Sequence, residues 1–262
     1  MIRRAGAGDY GAFARLVPEL RVDDPTPPFD VWQAMLMPQT WVATIDDRVM
    51  AYCFAQEYED TGYVRHVVVD PAVQRQGVGR RLMLAIAEHL RASRKQLWRL
   101  NVKPDNVAAI ALYAALGMQA RYRATAFKLP WSALDRLPSL GAVVTAVGPG
   151  RDAVLEKAFG LPRGQLTESR RLGRTLFEAR ATDGDTVMGL ADFNPHFPGA
   201  FPFRVVAPGV ARDLLIAMRA LAPNGEFVHL TAEDDPALAA LLRKVGAILK
   251  TEIVHMSGRV PS

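Results

Sequence analysis

Half of the 262 residues are hydrophobic and 23% are charged, a balance that excludes a disordered or low-complexity chain and leaves enough apolar side chains for real cores. The length exceeds that of a typical single domain, so two are expected. The net charge of +5 sits mostly in residues 1–130, where 17 Lys and Arg oppose 13 Asp and Glu; this suits a phosphorylated ligand, and without a basic run interleaved with aromatics it argues against a nucleic-acid surface.

Uncharged runs, Asn106 to Ala120 among the longest, are too short and too polar to span a bilayer. Asp9 arrives before any leader-like apolar stretch, and the lone Cys53 removes disulfide frameworks and thiolate-rich metal sites. No membrane, nucleic acid or metal is therefore expected, and a cytoplasmic compartment is.

Met1 to Arg4 reads as a short strand, after which Asp9 is placed to cap a helix whose Phe13, Leu16 and Leu20 recur at helical spacing. Pro25 to Pro28 breaks the chain before a second short helix, Val31 to Met37. Thr40 to Thr44 and Val49 to Glu57, turning at Asp46 and Asp47, form a hairpin. Tyr63 to Val69 is a strand closed by Asp70 and Pro71, and a polar glycine-bearing loop leads from it into a long helix, Gly79 to Ser93, striped by Leu82, Ile86 and Leu90. A strand at Leu97 to Lys103, a helix at Asp105 to Leu116 stopped by Gly117, and a strand at Gln119 to Leu129 complete a first domain, 1–130.

Residues 131–141 read as a linker, and 142–262 repeat the order more faintly. A strand Ala142 to Val147 and a helix Ala153 to Phe159 precede a hairpin, Thr175 to Ala181 with Val187 to Phe193. Then come a strand Phe203 to Ala207, a helix Val210 to Leu221, a strand Phe227 to Thr231, a helix Pro236 to Val245 and a strand Ile248 to Met256. Superposing Gly117 on Gly246 also brings Asp105-Asn106 onto Asp234-Asp235 and Leu112 onto Leu241, which points to a duplicated unit.

Chemistry concentrates in Val67-Val68-Val69-Asp70-Pro71-Ala72-Val73-Gln74-Arg75-Gln76-Gly77-Val78-Gly79-Arg80-Arg81. A strand ends, the chain turns, and glycines at 77 and 79 let peptide N–H groups face outward where a helix begins, with three arginines nearby. Such a turn stabilises a phosphate through free donors and the positive end of the helix dipole. If the preceding strand has an open edge, an amide-bearing ligand arm can pair with it. A dinucleotide loop would need a third small residue at Leu82, and a Walker loop would need Gly-Lys-Ser/Thr; neither is present. A plain glycine turn that only starts a helix remains open.

Gln74-Arg75-Gln76-Gly77-Val78-Gly79 resembles the Gln/Arg-x-x-Gly-x-Gly/Ala signature of the GNAT superfamily of acyl-CoA-dependent N-acetyltransferases. Asn101, Asn106, Ala109, Leu112, Tyr113 and Gly117-Met118 resemble that family's following strand and helix, with Met118 in place of the usual Phe. The resemblance covers residues 1 to about 129 and implies an α/β (α+β) fold of two tandem GNAT-like domains, each a mixed, mostly antiparallel twisted sheet flanked by helices.

The same resemblance implies the roles. Backbone amides from Gln76 through Gly77, Val78 and Gly79 to Arg80 would hold the CoA diphosphate, with Gln74 and Arg75 lining the turn. The strand Val67-Val68-Val69 would pair with the pantetheine arm, an amide near Val67 facing the thioester carbonyl. Asn106 would bind the arm or merely cap its helix. Tyr113 would be the general acid; Glu57 is the first choice of base, with Glu59, His66 or a water chain as substitutes. Cys53 in its apolar run is expected to pack rather than react.

In the second half, the matching loop Phe203 to Ala211 has one glycine and a proline, which deletes a donor, and Leu242 stands where Tyr113 would be. The second domain therefore reads as a degenerate copy; His196 lies in what reads first as a plain surface loop, with reach to an acceptor as the other reading. The expected activity is transfer of an acetyl group from acetyl-CoA to a primary amine on a small molecule or peptide, by a monomer or homodimer. A non-catalytic acyl-CoA sensor or scaffold is the alternative.

Overall fold

The computed structural model describes residues 1–22, 25–222 and 224–261 and divides the chain into two compact units. Unit 1 comprises Met1–Asn101, Asn106–Ala120 and Met256–Ser262; unit 2 comprises Val102–Asp105 and Arg121–His255.

In unit 1, strands β1 (Ile2–Arg4), β2 (Thr40–Ile45), β3 (Arg48–Glu57), β4 (Thr61–Val69) and β5 (Leu97–Val102) lie side by side in chain order. The β1–β2, β2–β3 and β3–β4 pairs are antiparallel, and β4–β5 is parallel. Because side chains alternate across a strand, Tyr52 and Phe54 face one side of β3. There they pack with Phe13 and Leu16 of α1 (Tyr10–Leu16) and with Trp32, which follows α2 (Phe29–Val31) in a wider helical turn, Trp32–Leu36. The other side is covered by α3 (Val78–Ala92), whose Leu82, Met83, Ile86 and Leu90 are all buried. Leu90 rests so closely on Gly62 that a Cβ there would lie 2.4 Å from it. Helix α4 (Val107–Ala115) follows β5.

Asp9 differs from its expected role. It makes no capping bond to α1; its buried carboxylate instead accepts from Arg3 at 2.7 Å and from the Gly6 N–H at 2.8 Å, closing a tight turn at Ala7–Asp9. An arginine on the neighbouring strand outcompetes the weaker, neutral capping donors for a carboxylate.

Unit 2 contains β6 (Gln119–Pro130) from Arg121 onward, β7 (Val143–Ala146), β8 (Thr175–Arg180), β9 (Val187–Asn194), β10 (Gly199–Val205), β11 (Phe227–Glu233) and β12 (Ile248–Arg259) as far as His255. Its sheet order is β12-β6-β11-β10-β9-β8-β7. Leu176 and Leu190 face α5 (Asp152–Ala158) and α6 (Gln165–Arg171), while Phe177, Ala191 and Phe193 face α7 (Val210–Leu221). Helix α8 (Pro236–Lys244) precedes β12. Helix α6, absent from the elements expected from the sequence, is polar: it buries Gln165, Leu166 and Ser169, and Arg170 pairs with Asp152 at 2.7 Å.

Two segments group otherwise than their place in the chain suggests. Strand β6, read with residues 1–130, pairs antiparallel with β11 from Phe227↔Pro130 to Glu233↔Ala124. The position beside β5 in unit 1 is filled by the end of β12, and the Val260 N–H donates to the Gln96 carbonyl at 3.0 Å. Alternating hydrophobicity specifies a strand but not its neighbour. Within 131–141, Trp131, Ala133 and Leu137 belong to the core of unit 2 rather than to a free linker.

The units repeat one another at the matched positions. Asn106 caps α4 by accepting from the Ala109 N–H at 3.2 Å, and Asp235 caps α8 by accepting from the Leu238 N–H at 2.8 Å. Gly117 and Gly246 end those helices with φ of +85° and +93°, the left-handed conformation that favours glycine.

Candidate active site

Strand β4 carries one residue more than β3. Phe54 faces His66, but Ala55 faces Val64, so Arg65 is inserted as a β-bulge. The parallel ladder to β5 runs from Thr61↔Leu97 to Val64↔Leu100 and stops there. Beyond Val64, β4 has a strand partner among the described residues on the β3 side alone.

The ladder also shows which main-chain groups face the vacated side. The Asp70 N–H donates to the Met50 carbonyl at 2.8 Å, directly opposite in the β3–β4 register. In an antiparallel pair such bonded positions alternate, so His66 and Val68 also turn their N–H and C=O toward β3. Val67 and Val69 turn theirs to the open side. Val68 is thereby corrected: its main chain belongs to the ladder and its side chain to the buried core under α1.

The strand runs directly into the glycine turn. Asp70 accepts from the Ala72 N–H at 3.0 Å and pairs with Arg15 of α1; the N–H and then the guanidinium hold its carboxyl below the usual range. The Gln74 amide donates to the Val69 carbonyl at 3.0 Å, so this side chain braces the turn from within. Arg75 and Gly77 adopt left-handed backbone, φ +61° and +75°. The first bond of α3 runs from the Arg81 N–H to the Gly77 carbonyl at 3.0 Å, so the N–H groups of Val78, Gly79 and Arg80 stand ahead of it without helical acceptors. Arg75, Arg80 and Arg81 are exposed around the same turn. Alternating left-handed residues, free donors and cations make a concavity for an anion.

Helix α4 closes on this turn: a Cβ at Gly79 would lie 3.5 Å from Val69 and 3.6 Å from Leu112. Tyr113, the next residue, is buried, and its hydroxyl makes no hydrogen bond to a described residue. Burial pushes its phenol up, and Cys53, paired across the ladder with Val67, adds to the rise. Burial thus holds the phenol protonated. Cys53 itself is fully buried, and burial raises its thiol likewise. Asn106 spends its side-chain oxygen on the helix cap, which leaves its amide to donate.

Glu57 is not brought to this place. It faces Gly62 at the end where β4 and β5 remain paired, about 13 Å along β3 from Cys53. There its carboxylate meets His89 Nε2 at 2.6 Å and Lys95 Nζ at 3.9 Å. Glu59 is exposed beyond the strand. His66 lies nearer, half-buried against Tyr52 and Phe54, and burial, then the Arg65 charge, lower its pKa to about 4. Among the described residues, no three His, Cys, Asp or Glu gather as a metal site, and no helix is long and apolar enough to cross a membrane. The sequence reading did not single out Arg65, because a bulge has no local signature.

Unit 2 repeats the strand pattern. β10 pairs parallel with β11 at Gly199↔His229 and Ala200↔Leu230, then shifts register before Phe203. Arg204 crosses to β11, donating to the Glu233 carbonyl at 3.0 Å and meeting its carboxylate at 3.3 Å. The Val210 and Ala211 N–H groups are spent on the carbonyls of Ala207 and Pro208, and Leu140 lies against Gly209, where a Cβ would be 2.8 Å from it. His196 is exposed, its N–H bonded to Asn194 at 3.1 Å.

A parallel strand pair that parts at a bulge, with a glycine turn entering a long helix beside the gap, coincides with residues 11–118, which match the model of the Acetyltransferase (GNAT) family. The fold is that of the GNAT acetyltransferases. The GNAT likeness extends over the whole chain in two solved structures, a GCN5-related N-acetyltransferase from Sphaerobacter thermophilus and a tandem GNAT protein from the clavulanic acid biosynthesis pathway. The first has TM-score 0.67 at 18% identity and covers 100% of this chain and 96% of that one. The second has TM-score 0.64 at 18% identity and covers 100% and 99%. At such identity the likeness speaks for the fold, duplicated as it is here. In sequence, 74 residues are 38% identical to the [ribosomal protein bS18]-alanine N-acetyltransferase of Salmonella typhimurium, 28% of this chain and 50% of that protein, so the chain spans about half the length of this relative.

Proposed function

We propose that the chain is an acyl-CoA-dependent N-acetyltransferase in which unit 1 performs the transfer and unit 2 is a silent copy. The observation that carries this reading is the continuity of the open edge of β4, at Val67 and Val69, with the unbonded amides at the start of α3. One extended ligand, an amide-bearing arm ending in a diphosphate, matches both.

Acetyl-CoA would supply the activated acyl group. The amides of Gln76 to Arg80 hold its diphosphate, with Arg75 and Arg80 adding charge; Val67 and Val69 pair with its arm, and the Asn106 amide is free to donate to it. An amide at Val67 faces the oxygen on which negative charge grows as the amine attacks. Tyr113 gives its proton to the departing thiolate. Glu57 stands too far away for direct contact, so the amine proton reaches it through water.

The acceptor is a primary amine on a small molecule or peptide, as the name of the bS18-alanine relative suggests. Unit 2 is assigned no turnover because Arg204 spans its strand gap, Leu140 covers its turn and Leu242 replaces the tyrosine. The lone buried thiol suits a cytoplasmic enzyme. Calorimetry with acetyl-CoA and thiol release across an amine panel test these points. One site per chain and acceptor-dependent release are expected. Binding without release for any amine would favour the sensor, and two sites would overturn the silence of unit 2.

A further inference from the structure

Arg65 is the residue that the β3–β4 ladder leaves over, and its side chain is tightly held. Nε–H donates to Gln56 Oε1 at 2.6 Å, an Nη2–H donates to the Tyr58 hydroxyl at 3.0 Å, and the guanidinium carbon lies 3.7 Å over the centre of the Tyr63 ring. All three receiving side chains are buried. Gln56 and Tyr58 lie at the end of β3 and just past it, and Tyr63 precedes the bulge by two residues. The inserted residue is therefore tied back to the regular half of the ladder. A bulge forfeits ladder bonds and persists where surrounding structure determines it.

We propose that Arg65 is a positioning residue, whose fork on Gln56 and Tyr58 sets the bulge that turns the main chain of Val67 and Val69 to the open edge of β4. This rests on the reading of that edge as the acyl-CoA site. Without the fork, β4 is free to slip by one residue, which would exchange the facing of Val67 with that of Val68. Lysine keeps a charge over Tyr63 but not the two-pronged bond. Gln56→Glu keeps an acceptor for Nε–H.

The test compares wild type with Arg65→Ala, Arg65→Lys, Gln56→Ala and Gln56→Glu, measuring CoA binding by calorimetry, thiol release with an amine the wild type accepts, and melting. Misplacing reacting groups by a fraction of a strand step is costly, so kcat should fall at least about tenfold in the first three. CoA affinity, held largely by the separate turn, should change by no more than about threefold, and Gln56→Glu should stay within about threefold of wild type. Arg65→Ala combined with Gln56→Ala should lower kcat by less than the product of the two single losses, since both remove the Nε–H to Oε1 bond; Gln56→Ala also removes the bond from the Tyr58 hydroxyl at 3.4 Å. The proposal is overturned if kcat stays within about twofold in Arg65→Lys and Gln56→Ala, or if the loss vanishes on cooling below the variants' melting range. Should Arg65→Ala fail to fold, those two variants decide. A wild type that binds no CoA and releases no thiol overturns the underlying reading as well, whereas an active wild type with unimpaired variants overturns this proposal alone.

Discussion

The Gln74 side chain donates to the Val69 carbonyl at 3.0 Å, joining the turn before α3 to the last residue of the open strand. The bond spends an acceptor that faces the vacated side of β4, so Gln74 serves the site by fixing the angle between its two halves. Exposed side-chain bonds of this kind are worth at most about 1 kcal/mol. Gln74→Ala should therefore weaken CoA binding about two- to fivefold by calorimetry with little change in melting. Unchanged affinity would show that the turn keeps its shape unaided.

Gly77 and Gly258 test two different reasons for glycine. A Cβ at Gly77 meets nothing within 4 Å, but its φ of +75° burdens any L side chain. At Gly258 a Cβ would sit 2.4 Å from the Gly117 carbonyl oxygen, a main-chain atom that cannot swing away. Gly77→Ala should cost about 1–2 kcal/mol through strain alone. Gly258→Ala should cost more, up to about 3 kcal/mol, because it pries the end of β12 from the α4–β6 turn. Urea unfolding ranks the two, and the reverse order would contradict the close approach.

Tyr113→Phe removes the hydroxyl and nothing else, since no described residue bonds to it. The fold should lose little stability, and CoA affinity should hold. Loss of a general acid should lower kcat by about 10²-fold. The pH profile adds a second check: burial holds the phenol above its ordinary value, so the wild type should show no alkaline loss of the acid through the range where free tyrosine ionises. A variant as fast as wild type would remove Tyr113 from the mechanism.

The glycine turn was legible because its demand is local: a left-handed Gly77 opening a helix follows from neighbours within a few residues. The Asn106 cap and the Gly117 stop were legible for the same reason, and their counterparts Asp235 and Gly246 exposed the duplication. Arg65 and the placing of β6 were not, because register and strand partners depend on residues far away in the chain. The distance of Glu57 from the open edge was not legible, because alternation places it on a strand near the site without saying which end of that strand stays closed. His89 and Lys95, which engage it, come more than thirty residues later.

His66 makes the stability of the fold depend on pH in a predictable direction. Burial, then the Arg65 charge, lower its pKa from 6.5 to about 4, and its Nδ1 lies 3.4 Å from the Tyr52 hydroxyl. Folded, the ring stays neutral; unfolded, it protonates near 6.5, so unfolding takes up a proton between those values. The contribution is therefore whole above pH 6.5 and drains away as pH falls through 4, on the order of 3 kcal/mol in all. Between pH 7 and 5, above most ordinary carboxylate titrations, the wild type should lose on the order of 2 kcal/mol more than His66→Gln, whose side chain does not titrate. Urea unfolding followed by tryptophan fluorescence at the two pH values gives that difference. Equal losses in the two proteins would mean that the imidazole already protonates freely in the folded chain.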